Sequence, residues 1–162
     1  MKLYLAGPDV FRPDALAWAE EARALCAAWG HQALIPLDNE ETTAEGIYKA
    51  NVGLLRAADG VIANLNPFRG LEPDSGTCVE VGFALALGKP VIGHVRDARP
   101  LAERVAAAQG SALGMADGRP TDRDGLHVEN FGLPLNLMLA VPVRIVTGGL
   151  KEALAALAPG QG

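Results

Sequence analysis

Basic residues are too few and too scattered in this chain to form a stripe that could follow a phosphate backbone. Lys and Arg number 14 against 19 Asp and Glu, a formal net charge of −5. A nucleic-acid polymer, whose binding rests on neutralised phosphates, is excluded as a partner; a single nucleoside is not. Cysteine is nearly missing, with only Cys26 and Cys78 and no CxxC or Cys/His cluster. Both read as small, reduced hydrophobes inside helices. His31, His94 and His127 lack ligand spacing, so no metal site is expected. No apolar run is long enough to span a bilayer and no long apolar stretch follows Met1, which excludes a membrane and predicts a cytoplasmic protein. Aromatics make up only 5% of the chain, so its alanine-rich helices are expected to pack closely on thin side chains. A GxGxxG fingerprint and a Walker lysine are also absent, and Gly7-Pro8 alone reads as a turn that ends a strand.

What is present is a compact α/β pattern. With 162 residues, 49% of them hydrophobic, the chain can bury one core without staples, and no repeat or linker divides it. One domain over 1–162 is expected, with 158–162 fraying. Lys2–Ala6, Gln32–Pro36, Gly60–Leu65 and Pro90–Val95 read as strands that are apolar throughout, as strands buried on both faces are. Between them, Asp14–Trp29, Thr43–Ala57 and Ser75–Leu87 carry helical periodicity. Strictly alternating strands and helices predict a mostly parallel sheet covered on both faces, a single-domain, Rossmann-like or flavodoxin-like three-layer α/β sandwich. Further on, Leu101–Gln109, Leu133–Ala140 and Leu150–Leu157 read as helices and Gly110–His127 as a loop rich in Gly, Asp and Arg.

Ligands of such sheets bind beyond the carboxyl ends of the strands. Three segments reach that edge: Ala6 to Phe11, Pro36 to Glu40, and Asn66 to Gly70 leading into Asp74–Glu80. In the last, Asp74 can cap the following helix and expose backbone N–H groups at its start. Gly76 and Glu80, an i, i+4 pair, share a helix face, so a ligand can approach the backbone at Gly76 while the carboxylate points at it. Near the positive helix end Glu80 is expected to stay ionised, as a nucleophile must. The same residues also fit a capping box, Thr77-Cys78-Val79-Glu80, in which Glu80 only closes its helix. Spacing does not separate the two readings. Phe68 and Arg69, in a Pro/Gly-rich loop, are candidates for exposed functional residues.

Taken together, the segments resemble the nucleoside 2-deoxyribosyltransferase family. The matching pieces are Tyr4-Leu5-Ala6-Gly7-Pro8 with Phe11, Pro36-Leu37-Asp38-Asn39, and Asn51 through Ala58-Asp59-Gly60-Val61-Ile62-Ala63-Asn64-Leu65. They continue with Pro67-Phe68-Arg69-Gly70, Asp74-x-Gly76-Thr77-x-x-Glu80-x-Gly82-x-Ala84, Gly88-Lys89-Pro90-Val91 and Asn136-Leu137-Met138. The resemblance implies base exchange on 2′-deoxynucleosides, with free nucleobases as acceptors and no cofactor. Glu80 would attack C1′ and form a deoxyribosyl ester, in the manner of a retaining glycosidase with a base in place of water. It further implies that Tyr4 orients Glu80 and that Asp74 bonds the substrate and assists proton traffic at the base. Gly7, Phe11, Asp38, Glu40, Asn51, Phe68, Arg69 and Gly76 would contribute to the substrate pocket. Asn136 and Met138 would complete a neighbouring subunit's site, which implies a homo-oligomer.

Two positions depart from the pattern. Asn51 stands where some members carry an aspartate, and an amide cannot exchange protons as a carboxylate does. Glu40 stands where a glutamine contacts the base in some relatives. Two other readings remain open. One is an N-glycosidase for nucleoside 5′-monophosphates that uses the same Glu80, with Arg12, Arg69 and Ser75 near the phosphate; the other is a non-catalytic nucleotide-binding module.

Overall fold

The computed structural model describes residues 1–157, so the expected fraying of 158–162 lies outside the described residues. Five strands form one sheet: β1 (Lys2–Ala6), β2 (Gln32–Leu34), β3 (Gly60–Asn64), β4 (Val91–Val95) and β7 (Arg144–Thr147). Their spatial order is β2-β1-β3-β4-β7 and every pairing is parallel. Two further strands, β5 (Gly114–Ala116) and β6 (Arg119–Thr121), form a separate antiparallel pair. The helices are α1 (Ala15–Ala28), α2 (Ala44–Ala57), α3 (Ser75–Ala86), α4 (Leu101–Gln109), α5 (Leu137–Ala140) and α6 (Leu150–Leu157). The expected three-layer α/β class is the one observed, and its strand order is the flavodoxin-like one. Among the described residues no helix is long and apolar enough to cross a membrane.

The two-residue period of β1 determines what the site inherits. Leu3 and Leu5 point to one face, where they pack with Ala19, Ala22 and Cys26 of α1 and with Ala153 and Leu154 of α6. Tyr4 and Ala6 point to the other, among Leu55 of α2 and Val81 and Ala84 of α3. A polar ring is thereby carried into the layer that holds α3. The narrow Ala and Cys positions of α1 let it lie close to the sheet, as the scarcity of aromatics suggested.

Three features depart from the sequence reading. Gly110–His127 is not wholly a loop: Asp117 and Gly118, both at positive φ (50° and 73°), turn β5 back onto β6. This Asp-Gly turn signal is legible in retrospect, masked by the polar composition and by Pro120 within an edge strand. The helix expected over Leu133–Ala140 shortens to Leu137–Ala140, because Pro134 brings no N–H and Asn136 caps at the later start, its Oδ1 accepting from the Met138 N–H at 3.0 Å. Finally, β7 closes the sheet beside β4 from a stretch with no strong strand pattern; its residues are only half-buried or exposed.

Candidate active site

Beyond β1 the chain makes a short 3-10 turn, Pro8–Phe11. Gly7 permits it by close approach: a Cβ there would lie 2.8 Å from Cβ of Asn64 at the end of β3. Asp9 secures the turn, its Oδ2 accepting from Asn64 Nδ2 at 2.8 Å. One face of this turn, the loop after β2, α2 and the start of α3 surround a cavity of about 400 Å3. Gly7, Phe11, Asn51, Asp74, Gly76 and Glu80 all line it, brought together from three separate segments.

Glu80 settles the ambiguity left by spacing. The helix begins at Ser75 with Asp74 as its N-cap; Asp74 Oδ2 accepts from the Thr77 N–H at 2.9 Å and from Thr77 Oγ1 at 3.1 Å. Thr77 therefore occupies the third helical position, and Glu80 lies a turn deeper, too far in to cap. Its Oε1 instead accepts from the Tyr4 hydroxyl at 2.5 Å, across the layer between β1 and α3. The capping-box reading is overturned.

The expectation that the helix end keeps Glu80 ionised also needs correction. Burial pushes its carboxyl up to about 7; the Tyr4 hydrogen bond pulls the other way, and Asp74 adds a smaller upward push. The helix dipole acts within the first turn, which Glu80 has left behind, so desolvation dominates. Tyr4, fully enclosed and facing this carboxylate, is pushed upward as well and remains a phenol, a donor only to Glu80.

The remaining candidates divide. Asn51 lines the cavity from α2, and its Oδ1 is buried without a hydrogen-bond partner. Phe11, 59% exposed, stacks on Phe68 with centroids 5.5 Å apart. Arg69, at φ 53°, sets its guanidinium 4.7 Å from the Phe68 ring and 5.6 Å from that of Phe11. Phe68 and Arg69 thus back the Phe11 wall without lining the cavity themselves. Asp38 is turned away: it accepts from Arg23 and, at 2.8 Å, from the Ile35 N–H, which closes the turn after β2. Glu40 is exposed and outside the wall, and its neighbours Asn39 and Glu41 stand there instead. Glu41 and Ile47 were not singled out from sequence, and Thr77 only as part of the helix start and the motif; for Ile47 the signal was its i, i+4 spacing to Asn51 on one face of α2.

Asn136 and Met138 lie on the opposite side of α3. They border a larger groove of about 850 Å3, together with Cys78, Val81 and Leu85 of that helix and Leu126 and Val128 of the arm after β6. Within one chain they do not reach Glu80. The larger groove has a half-buried carboxylate of its own, Glu129, but both its oxygens are taken, Oε1 by Asn136 Nδ2 at 2.7 Å and Oε2 by the Leu137 N–H at 2.9 Å. Only Oε1 of Glu80 is engaged, so the smaller cavity is the better candidate for chemistry. Both cysteines are free; Cys26 is buried, Cys78 partly so, and burial pushes both thiols up, away from reactivity.

Residues 3–138 match the family model described as nucleoside 2-deoxyribosyltransferase. A solved structure of a 2-deoxyribosyltransferase from Leishmania mexicana is similar at 42% identity and TM-score 0.78, covering 96% of this chain and 95% of that one. An uncharacterized protein of Schizosaccharomyces pombe is 33% identical over 90% of this chain and 78% of its own length. A 2-deoxyribosyltransferase from Bacillus psychrosaccharolyticus, 22% identical with TM-score 0.50 over 73% of this chain and 88% of that one, shares the fold.

Proposed function

Because the chain belongs to the nucleoside 2-deoxyribosyltransferase family, we propose that it moves a 2-deoxyribosyl group between nucleobases, with Glu80 as the nucleophile. The observation that carries this reading is the Tyr4–Glu80 pair on the wall of a cavity large enough for a nucleoside. In the first step a Glu80 carboxylate oxygen forms a bond to C1′ while the C1′–N bond breaks, and the base leaves with that electron pair and takes up a proton. In the second, a nitrogen of another base attacks C1′ and gives up the proton it carried, replacing the one taken up in the first step, while the ester bond breaks and the carboxylate is regenerated. Two inversions retain the configuration. The missing 2′-hydroxyl eases the oxocarbenium-like transition state, and the negative oxygen beneath C1′ stabilises its charge.

Each neighbour has a task in this scheme. Tyr4 aims one carboxylate oxygen and leaves the other to attack. Asp74 spends Oδ2 on its helix cap, so Oδ1 is available to the sugar or to the proton the leaving base needs. Gly7 and Gly76 let the sugar approach backbone, Phe11 walls the base, and Asn51 hydrogen-bonds it. Asn136 and Met138 serve the site of a neighbouring subunit; Met138 is 73% exposed, an apolar side chain that a second copy would cover. A salvage role in the cytoplasm follows from the substrates, 2′-deoxynucleosides and free bases.

The test is incubation with deoxyinosine and adenine, followed by chromatography. Deoxyadenosine is the expected product. Free base released only from a deoxynucleoside 5′-monophosphate would replace transfer with hydrolysis, and binding without turnover would leave a nucleotide-binding module. Glu80→Ala is expected to abolish exchange; near-full activity in that variant would refute the nucleophile.

A further inference from the structure

The turn that walls the nucleoside cavity has a second side. Behind it, at the carboxyl ends of β1, β3 and β4, lies a separate pocket of about 160 Å3 bordered by Asp9, Arg12, Asn64, Asn66, His94, Arg96 and the Gly148-Gly149 backbone ahead of α6. It faces the α1 and α6 layer, as Trp18 and Leu150 in its wall indicate. The base-exchange scheme uses none of these side chains.

Its polar groups are unevenly partnered. Arg12 is held by Asp14 at 2.8 Å and stands 3.8 Å from Asp9. Arg96 makes no ion pair among the described residues, while its backbone N–H is tied to Asn66 Oδ1 at 2.8 Å. His94 is 9% exposed, and its Nδ1 is buried with no hydrogen-bond partner. Glu152, the other carboxylate near His94, is occupied by the Gly149 N–H at 2.8 Å. Among the described residues Arg96 is thus an unpaired guanidinium and His94 an unpartnered imidazole nitrogen, beside the Oδ1 of Asp9 and the Nη1 that Arg12 keeps clear of Asp14, in a pocket the size of a small tetrahedral ion.

We propose that this pocket binds a hydrogenphosphate group, with Arg96 and Arg12 on its anionic oxygens and Asp9 accepting from its P–OH. The carboxylate makes the prediction specific. A hydrogenphosphate both accepts and donates hydrogen bonds, whereas sulfate has no proton to give and would set its oxygens against Asp9. Because Asp9 also holds the turn through Asn64, an occupant would lie against the back of the Phe11 wall.

The experiment is calorimetric titration of the full chain with inorganic phosphate, sulfate and a 2′-deoxynucleoside 5′-monophosphate. Phosphate is expected to bind and sulfate to bind at least about tenfold more weakly. Arg96→Gln is expected to weaken phosphate by at least about tenfold while base exchange continues at the parent rate. Asp9→Asn, which can still accept from Asn64, is expected to bring sulfate level with phosphate. Tighter binding of the monophosphate than of free phosphate, lost in Arg96→Gln, assigns the group to a nucleotide; equal binding assigns it to the free ion. No binding of phosphate, or binding indifferent to both substitutions, overturns the proposal. Because Glu80 is not involved, it can fail without touching the transferase reading, and the reverse.

Discussion

The Tyr4–Glu80 pair joins residues 76 apart in sequence, and it sets the pH behaviour expected of the protein. Attack requires the carboxylate form, and Glu80 is raised to about 7, so kcat/KM is expected to climb with pH through one ionisation near neutrality. In Tyr4→Phe the bond that favours the charged form is gone. The midpoint then moves to higher pH, and the rate at pH 7 drops by roughly tenfold or more. A pH–rate profile of the two proteins checks both; an unmoved midpoint would show that Tyr4 does not act through Glu80.

The same burial bears on stability. Glu80 ionises near 4.5 in an unfolded chain and near 7 when folded, so the folded state is penalised as pH rises from the first value to the second. The penalty is absent below that window and complete above it, on the order of 3 kcal/mol. Glu80→Gln is therefore expected to be inactive yet more stable than the parent at pH 8, with the gain vanishing toward pH 4.5. Urea melts at the two pH values measure it. From sequence, Glu80 could be named but its state could not: the number of groups shielding a side chain depends on strands and helices far away in the chain.

At the scale of elements, α3 does two things at its first turn. Asp74→Ala removes the cap and is expected to cost about 1 kcal/mol of stability. It is also expected to lower exchange activity by more than that loss accounts for, because Asp74 lines the cavity. Asp74→Asn, which can still cap, separates the effects by restoring stability without restoring the rate. In the sheet, a Cβ on Gly93 would lie 2.5 Å from Leu65 Cδ1 and 3.1 Å from Val143 Cγ1. Gly93→Ala is thus an overpacking change, expected to cost about 1–3 kcal/mol in a denaturant titration.

The elements near β1 to β4 were readable because apolar runs, glycine stops and helical spacing agree there. Around the hairpin and α5 these signals conflict. Pro120 sits in a strand, Pro134 shortens a helix, and β7 alternates weakly because it lies on an edge with one flank unpaired.

For the whole molecule, the decisive fact is that the candidate residues occupy two sides of α3. Glu80, Asp74 and Gly76 face the cavity, and Asn136 and Met138 border the groove behind. On that groove Leu126 and Met138 are exposed apolar side chains, and Phe131 and Val141 in the neighbouring chain segments are exposed too, more than an isolated chain gains from showing to water. Met138→Glu is expected to yield a smaller species in sedimentation velocity and to lose exchange activity along with assembly. Retained activity in a monomer would remove Asn136 and Met138 from the chemistry.

The linear order of residues by itself determined the parallel α/β class, the carboxyl edge of the sheet as the place for a ligand, and the short set of groups able to do chemistry there. Those are consequences of local periodicity and turn chemistry, which act over a few residues. The Tyr4–Glu80 pairing was implied by resemblance, but tertiary structure alone decided that Glu80 does not close its own helix end, that Asp38 closes a turn, and that Asn136 and Met138 face away from the nucleophile. Hydrogen-bond partners and desolvation are properties of packed neighbours, and packing brings together residues that no local pattern relates.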